Sequence, residues 1–90
     1  MKGSQKQIKW AQDVQNQILA KINSYQAEAE ADAKKHGADL NSPEGQQFLA
    51  TFEKARQAVL QKEDAQWFIQ NSKKPVSRKS IKSLAETGEL

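Results

Sequence analysis

The chain has 90 residues, 37% hydrophobic and 28% charged, with a formal net charge of +3. That is one small domain with enough apolar material to fold, and it is not compositionally disordered. Having no cysteine, it can form neither disulfides nor thiolate metal sites. No apolar run approaches the ~18 residues of a membrane span. The N-terminus carries Lys2 and Lys6 among polar residues and lacks the apolar stretch of a secretion signal. A cytoplasmic protein is the expectation.

The opening, Gly3-Ser4-Gln5-Lys6-Gln7-Ile8-Lys9-Trp10-Ala11, announces a helix. Ser4 followed by Gln7 at N3 is the capping-box pattern. Behind it, Ile8, Ala11, Val14, Ile18, Ile22, Tyr25 and Ala29 recur at spacings of three or four and form one apolar stripe. Trp10 and Leu19 flank and widen the stripe. The spacing predicts a helix from Gln5 to His36, roughly 48 Å long at 1.5 Å per residue. Beyond Tyr25 the apolar residues shrink to alanine, so that end either projects or packs closely on a neighbour. Lys34, Lys35 and His36 suit the negative pole of the helix, and Gly37 is a natural stop.

Ala38 to Asn41 is a loop, after which Ser42, Pro43 and Glu44 supply the cap, first residue and acidic first turn of a second helix. That helix carries Phe48, Leu49, Phe52, Ala55, Val59 and Leu60. Its periodicity fails at Lys62-Glu63-Asp64. Asp64 can cap a short third helix from Ala65 to about Ser72. A single helix through residue 71 is the alternative, and the residues alone leave that choice open. Lys73-Lys74-Pro75 ends the preceding helix, because a residue before proline is pushed out of helical geometry. Ser77 to Gly88 has a weak apolar face of Ile81, Leu84 and Ala85. A helix so short needs docking to persist in water; otherwise the segment is a frayed, solvated end. The predicted architecture is all-α: a three-helix domain over residues 1–72 with a basic C-terminal tail over 73–90 that can form a fourth short helix.

Trp10, Tyr25, Phe48, Phe52, Trp67 and Phe68 are the large side chains, and most are expected in the core. Neighbours on a helix point about 100° apart, so Trp67 and Phe68 cannot both face its centre. One sits at an edge, where a tryptophan is a candidate contact for a protein partner. His36 is the only histidine and is expected to complement a helix terminus; with no cysteine, a zinc site is not expected. The carboxylates Glu28, Glu30, Asp32, Asp39, Glu63 and Asp64 fall on an alanine-rich helix, in a loop and at a helix start, where solvation is the simple reading. No calcium loop, nucleophile elbow or phosphate-binding glycine loop is present. No catalytic residue, metal or cofactor is expected.

Charge is unevenly placed: residues 1–36 sum to +2, residues 37–72 to −2 and residues 73–90 to +3. The last figure comes from Lys73, Lys74, Arg78, Lys79 and Lys82 against two acids. Together with Trp67, these five are the candidate partner-binding residues. Such a cluster can neutralise phosphates weakly and without reading sequence, or bind an acidic protein surface. Base-stacking aromatics are missing from it.

The opening and the segment Asp64-Ala65-Gln66-Trp67-Phe68-Ile69-Gln70-Asn71 together resemble a group of small helical proteins of phages, prophages and other bacterial mobile elements. These open with G-[ST]-x-K-Q-x-x-W-A and close with an A-x-[WF]-W-I-x-N-like segment. The likeness covers roughly residues 3–72. Phe68 stands where the pattern has a second tryptophan, and Ser72 where it has a basic residue. No activity is assigned to the group. The resemblance implies that Trp10 packs with Trp67 or Phe68. By analogy with other small phage proteins, it also implies a non-catalytic interaction protein that binds and modulates a bacterial host protein or nucleoprotein complex, with inhibition of a CRISPR effector as the sharpest case. A net positive chain does not suit imitation of a DNA duplex by its whole surface. The alternative function is a nucleic-acid-binding accessory that uses the basic tail. Oligomeric state is not readable from the residues.

Overall fold

A computed structural model describes residues 1–90. It contains four helices and no strand: α1 (Gln5–Lys35), α2 (Pro43–Leu60), α3 (Ala65–Asn71) and α4 (Arg78–Thr87). The molecule is a rod of 48 × 18 × 17 Å. Its length is that of α1 alone, about 47 Å at 1.5 Å per residue, and the other three helices are laid along it.

Each helix start follows from its cap. The Ser4 hydroxyl accepts from the Gln7 amide at 3.2 Å, and the Gln7 side chain accepts from the Ser4 amide at 3.0 Å. Ser42 accepts from the Gly45 amide at 3.1 Å, and Asp64 from the Gln66 amide at 2.9 Å. Ser77 and Ser80 form a second reciprocal box at the head of α4. α1 closes after Lys35, with His36 as C-cap, the Ala38 amide donating to the Ala33 carbonyl at 2.8 Å and Gly37 to Lys34 at 3.1 Å.

Between residues 43 and 71 there are two helices. Lys2 lies alongside Asp64 as a parallel bridge. Its amide donates to the Glu63 carbonyl at 2.5 Å, and its carbonyl accepts from the Ala65 amide at 2.8 Å. Those two groups would otherwise belong to a continuous helical ladder, so the N-terminal strand-like residue holds the break open. Gly3 makes this approach feasible. It has φ 144°, and a Cβ there would stand 3.0 Å from the Ala65 Cβ. The opening motif and the Asp64–Asn71 motif therefore meet in space. The glycine of one exists to clear the alanine of the other.

The core is made of twelve buried apolar residues drawn from all four helices: Ala11, Val14, Ile18, Ile22 and Ala29 of α1, Phe52, Ala55 and Val59 of α2, Ala65 and Phe68 of α3, and Ile81 and Leu84 of α4. The predicted stripe of α1 is this list, with Ile8 and Tyr25 half-buried at its margins. Cross-helix contacts set the directions. Gln15 donates to the Val59 carbonyl at 3.4 Å, and Arg56 donates to Asn23 at 3.1 Å and to Gln26. Rising numbers on α1 meet falling numbers on α2, so these two are antiparallel.

One open choice is decided and one expectation is corrected. Residues 78–87 form the fourth helix rather than a frayed, solvated end: Ile81 and Leu84 are 2% and 1% exposed. Burying two such side chains contributes about 1.5–3 kcal/mol each. That offsets the cost of nucleating a ten-residue helix. Trp10, expected among the core aromatics and against Trp67 or Phe68, is 51% exposed. The ring pairs that form are Trp67–Phe68, with centroids 5.0 Å apart at 87°, and Phe48–Phe52, at 5.4 Å and 81°. The buried α1 residues nearest Trp10 are Ala11 and Val14, and the indole falls to the side of the stripe they define. Trp10→Ser is accordingly expected to shift unfolding by less than about 1 kcal/mol, read from urea denaturation. A loss above about 2 kcal/mol would place Trp10 in the core after all.

Gly45 was not singled out by the pattern, yet it is closed to any side chain. A Cβ there would meet the Leu40 backbone at 2.5 Å. The first turn of α2 rests directly on the preceding loop.

Candidate functional site

α4 enters near the end of α1, where Arg78 lies 4.0 Å from Asp32. It leaves at the end of α2, where Glu89 pairs with Lys62 at 3.3 Å. α4 is therefore parallel to α2. The two helices do not close on each other along their whole length. Between the first half of α2 and α4, over Ala29 of α1, runs a groove of about 590 Å³. Ala29, Phe48, Phe52, Ile81 and Ala85 supply its apolar surface; Thr51, Lys54, Arg78, Lys82 and Glu86 supply the rest.

The alanine-rich end of α1 is what makes room for it. With alanine at 29, the floor is low. Phe48 is 39% exposed at the groove's mouth and touches Phe52 edge-to-face. The walls carry charge. Lys54 comes from α2, Arg78 and Lys82 from α4, and all three are exposed. Lys54 and Lys82 make no ion pair, and Arg78 has only the long contact with Asp32, in which both side chains are about two-thirds exposed. Glu86 is the one acid of the lining. On the far side of Phe48 a smaller hollow of about 280 Å³, lined partly by Ala33, Ala38 and Leu40, has Asp39 and Glu44 on its edge. The sign of the surface thus reverses across Phe48.

Of the candidate residues, Arg78 and Lys82 line the groove, and Lys79 is exposed on the same helix. Lys73 and Lys74 are exposed in the turn that leads into α4. Trp67 is elsewhere, at the opposite end of the α2–α4 pair. It is half-buried, and its indole N–H is already committed, donating to Glu89 at 2.5 Å. The Lys62 ammonium sits 4.7 Å above its ring. That hydrogen bond from Trp67, then the one from Lys62, hold the Glu89 carboxyl below its ordinary value of 4.5. Both act on the charged form. The stabilisation from this clasp is therefore present above the ordinary glutamate range and is lost as pH falls through the lowered value. Its evident role is to pin the end of α4 over α3, with Leu90 packed on the core beside it.

Phe48, Thr51, Lys54 and Ala85 belong to the groove and were missed as functional residues. The sequence places Phe48 in the core because its spacing to Phe52 is that of one helical face. Lys54 carried no signal, being a single lysine on a helix of mixed charge. No group of three or more histidine, cysteine, aspartate or glutamate side chains comes together in a way that could hold a metal. His36 caps α1. No helix is long and apolar enough to cross a membrane. Comparison with known protein families, with curated proteins and with solved structures finds no match.

Proposed function

We propose that this chain is a non-catalytic interaction protein, encoded on a bacterial mobile element and acting in the host cytoplasm, that binds and modulates a host protein or nucleoprotein complex. A CRISPR effector is the sharpest case. The observation that carries the reading is the α2–α4 groove: a half-exposed phenyl ring over an apolar floor, with Lys54 and Lys82 on its rim making no ion pair within the chain. An apolar patch rimmed by charge is the common form of a protein contact site. The mobile-element origin and the choice of partner rest on the likeness of residues 3–11 and 64–71 to phage proteins.

The test is affinity capture from the lysate of a phage-susceptible bacterium, with the wild type and Phe48→Asp side by side, followed by a cleavage assay on a purified guide-loaded CRISPR effector. The expected result is one host complex recovered in stoichiometric amount by the wild type and lost with Phe48→Asp. Cleavage is expected to fall as the protein approaches equimolarity with the effector. Recovery of nothing in stoichiometric amount by the wild type contradicts the interaction reading. An unaffected effector removes only its CRISPR version.

A second reading, nucleic-acid binding, is favoured by one observation: Arg78, Lys79 and Lys82 project from an ordered helix just after Lys73 and Lys74. Four such contacts would give a steep salt dependence, with affinity falling roughly a hundredfold between about 50 and 200 mM salt. Charge reversal at Lys73, Lys74 and Lys79 is the proper control. Removing residues 73–90 would also remove Ile81 and Leu84 from the core.

A further inference from the structure

The groove's charge names the chemistry of what fills it. Its lining runs along α4 from Arg78 to Glu86 and along α2 from Phe48 to Lys54, with Phe48, Phe52, Ile81 and Ala85 as the apolar part. The nine residues from Arg78 to Glu86 span about 12 Å, a little over two turns. A third helix laid over two parallel ones presents side chains at i, i+3 or i+4, and i+7, so two turns accommodate that set. The rim carries three cations, contributed by both walls, against a single carboxylate, Glu86. Lys54 and Lys82 have no ion-pair partner within the chain. Lys82 and Glu86 stand at i and i+4, yet they form no ion pair either.

Resting on the interaction reading above, we infer that this groove docks an acidic amphipathic helix of a partner protein. An apolar side chain of that helix enters between Phe48 and Ala85, and its flanking carboxylates meet Lys54, Arg78 and Lys82. A second copy of the chain is a poor occupant, since groove against groove would bring two sets of cations together, and like charges at an interface suppress association. A nucleic-acid strand would satisfy the cations but leave the exposed Phe48 ring and the half-buried Ala85 without apolar cover. The surroundings also fix how far the partner extends. Beyond Phe48 the rim turns acidic with Asp39 and Glu44, so the acidic segment ends at that ring. Its least acidic end lies over Glu86.

A phage-displayed library of roughly 16-residue random peptides, panned on the folded protein, tests this. The double variant Lys54→Glu, Lys82→Glu serves as counter-target. Both side chains are exposed and unpaired, so the variant keeps its fold, which far-ultraviolet circular dichroism verifies. The expected result is enrichment of peptides with apolar residues at helical spacing and flanking Asp or Glu. Their binding falls about tenfold or more on the double variant, and on Phe48→Ala. Amide shifts on titration should centre on Phe48, Thr51, Ile81 and Ala85. No enrichment, enrichment of neutral or basic peptides, equal binding to the double variant, or shifts centred on Trp10 or on Lys73 and Lys74 would each overturn the inference. So would a single-stranded oligonucleotide that moves the same four residues at lower concentration than the selected peptides. The interaction reading fails separately. It is lost when the wild type captures no host complex in stoichiometric amount, whereas equal capture by the wild type and the double variant overturns the present inference alone.

Discussion

Phe68→Ala should remove about 3–5 kcal/mol of stability, the largest effect of any single substitution in this chain. The ring is completely buried and is the largest side chain so enclosed. It lies on α3, a helix of seven residues, too short to hold its shape without tertiary contacts. The same ring meets Trp67 edge-to-face at 5.0 Å. Deleting it leaves a cavity at the point where α3 rests on α1 and removes the partner that orients Trp67. A chain of 90 residues has roughly 5–13 kcal/mol of stability to lose. The variant should therefore retain a cooperative transition only at low denaturant. With a urea dependence of about 1–2 kcal/mol per molar, the midpoint falls by about 2 M or more. A loss under about 1 kcal/mol would mean that α3 is dispensable to the core.

Removal of residues 73–90 should have a comparable or larger effect, because it takes away two buried side chains at once. Ile81 and Leu84 are worth about 1.5–3 kcal/mol each by burial. Their loss also uncovers Phe52 and Ala29, which share the groove lining with α4. The truncated chain is expected to be expanded, with lost near-ultraviolet dichroism and a broadened thermal transition. Leu84→Ala provides the milder version, at about 2–4 kcal/mol. If the 1–72 fragment melts as sharply and as late as the full chain, α4 is an appendage and the groove has no second wall.

How far the sequence foretold this differs from element to element. The caps did their work locally. Ser4 with Gln7, Ser42 with Pro43, and Asp64 each lie beside the helix they start, and each start was predicted to the residue. The α1 stripe was equally legible, since a spacing of three or four over about six turns has one structural meaning. The break at Lys62-Glu63 was visible as lost periodicity, but its cause was not. The groups that hold it open belong to Lys2, sixty-two residues from Asp64, and only the folded chain brings them together. The fate of residues 78–87 was undecidable for the same reason. Ile81 and Leu84 make a weak face until Phe52 and Val59 are placed against it.

The aromatic residues were the least legible. Trp10 and Phe48 both sit at positions where helical spacing permits burial, yet they are 51% and 39% exposed, because no further helix covers them. That failure located the candidate site. Phe48 is exposed where α2 and α4 diverge over an alanine, and the charge that frames it comes from two helices distant in sequence. The basic cluster stands out in the sequence, in a segment whose residues allow either a frayed tail or a short fourth helix. Its members divide: Arg78 and Lys82 face the groove, while Lys73 and Lys74 lie in the turn before α4.

The groove can dock a partner only if α4 is a fixed wall rather than a transient helix. Native-state hydrogen exchange on the full-length protein measures this residue by residue. The amides of Lys82, Ser83, Leu84 and Ala85 should exchange with an opening free energy close to that of Ile18 and Ile22 in α1, because α4 opens only when the core does. Exchange of those four amides near the rate of an unfolded peptide, with α1 and α2 still protected, would contradict the account.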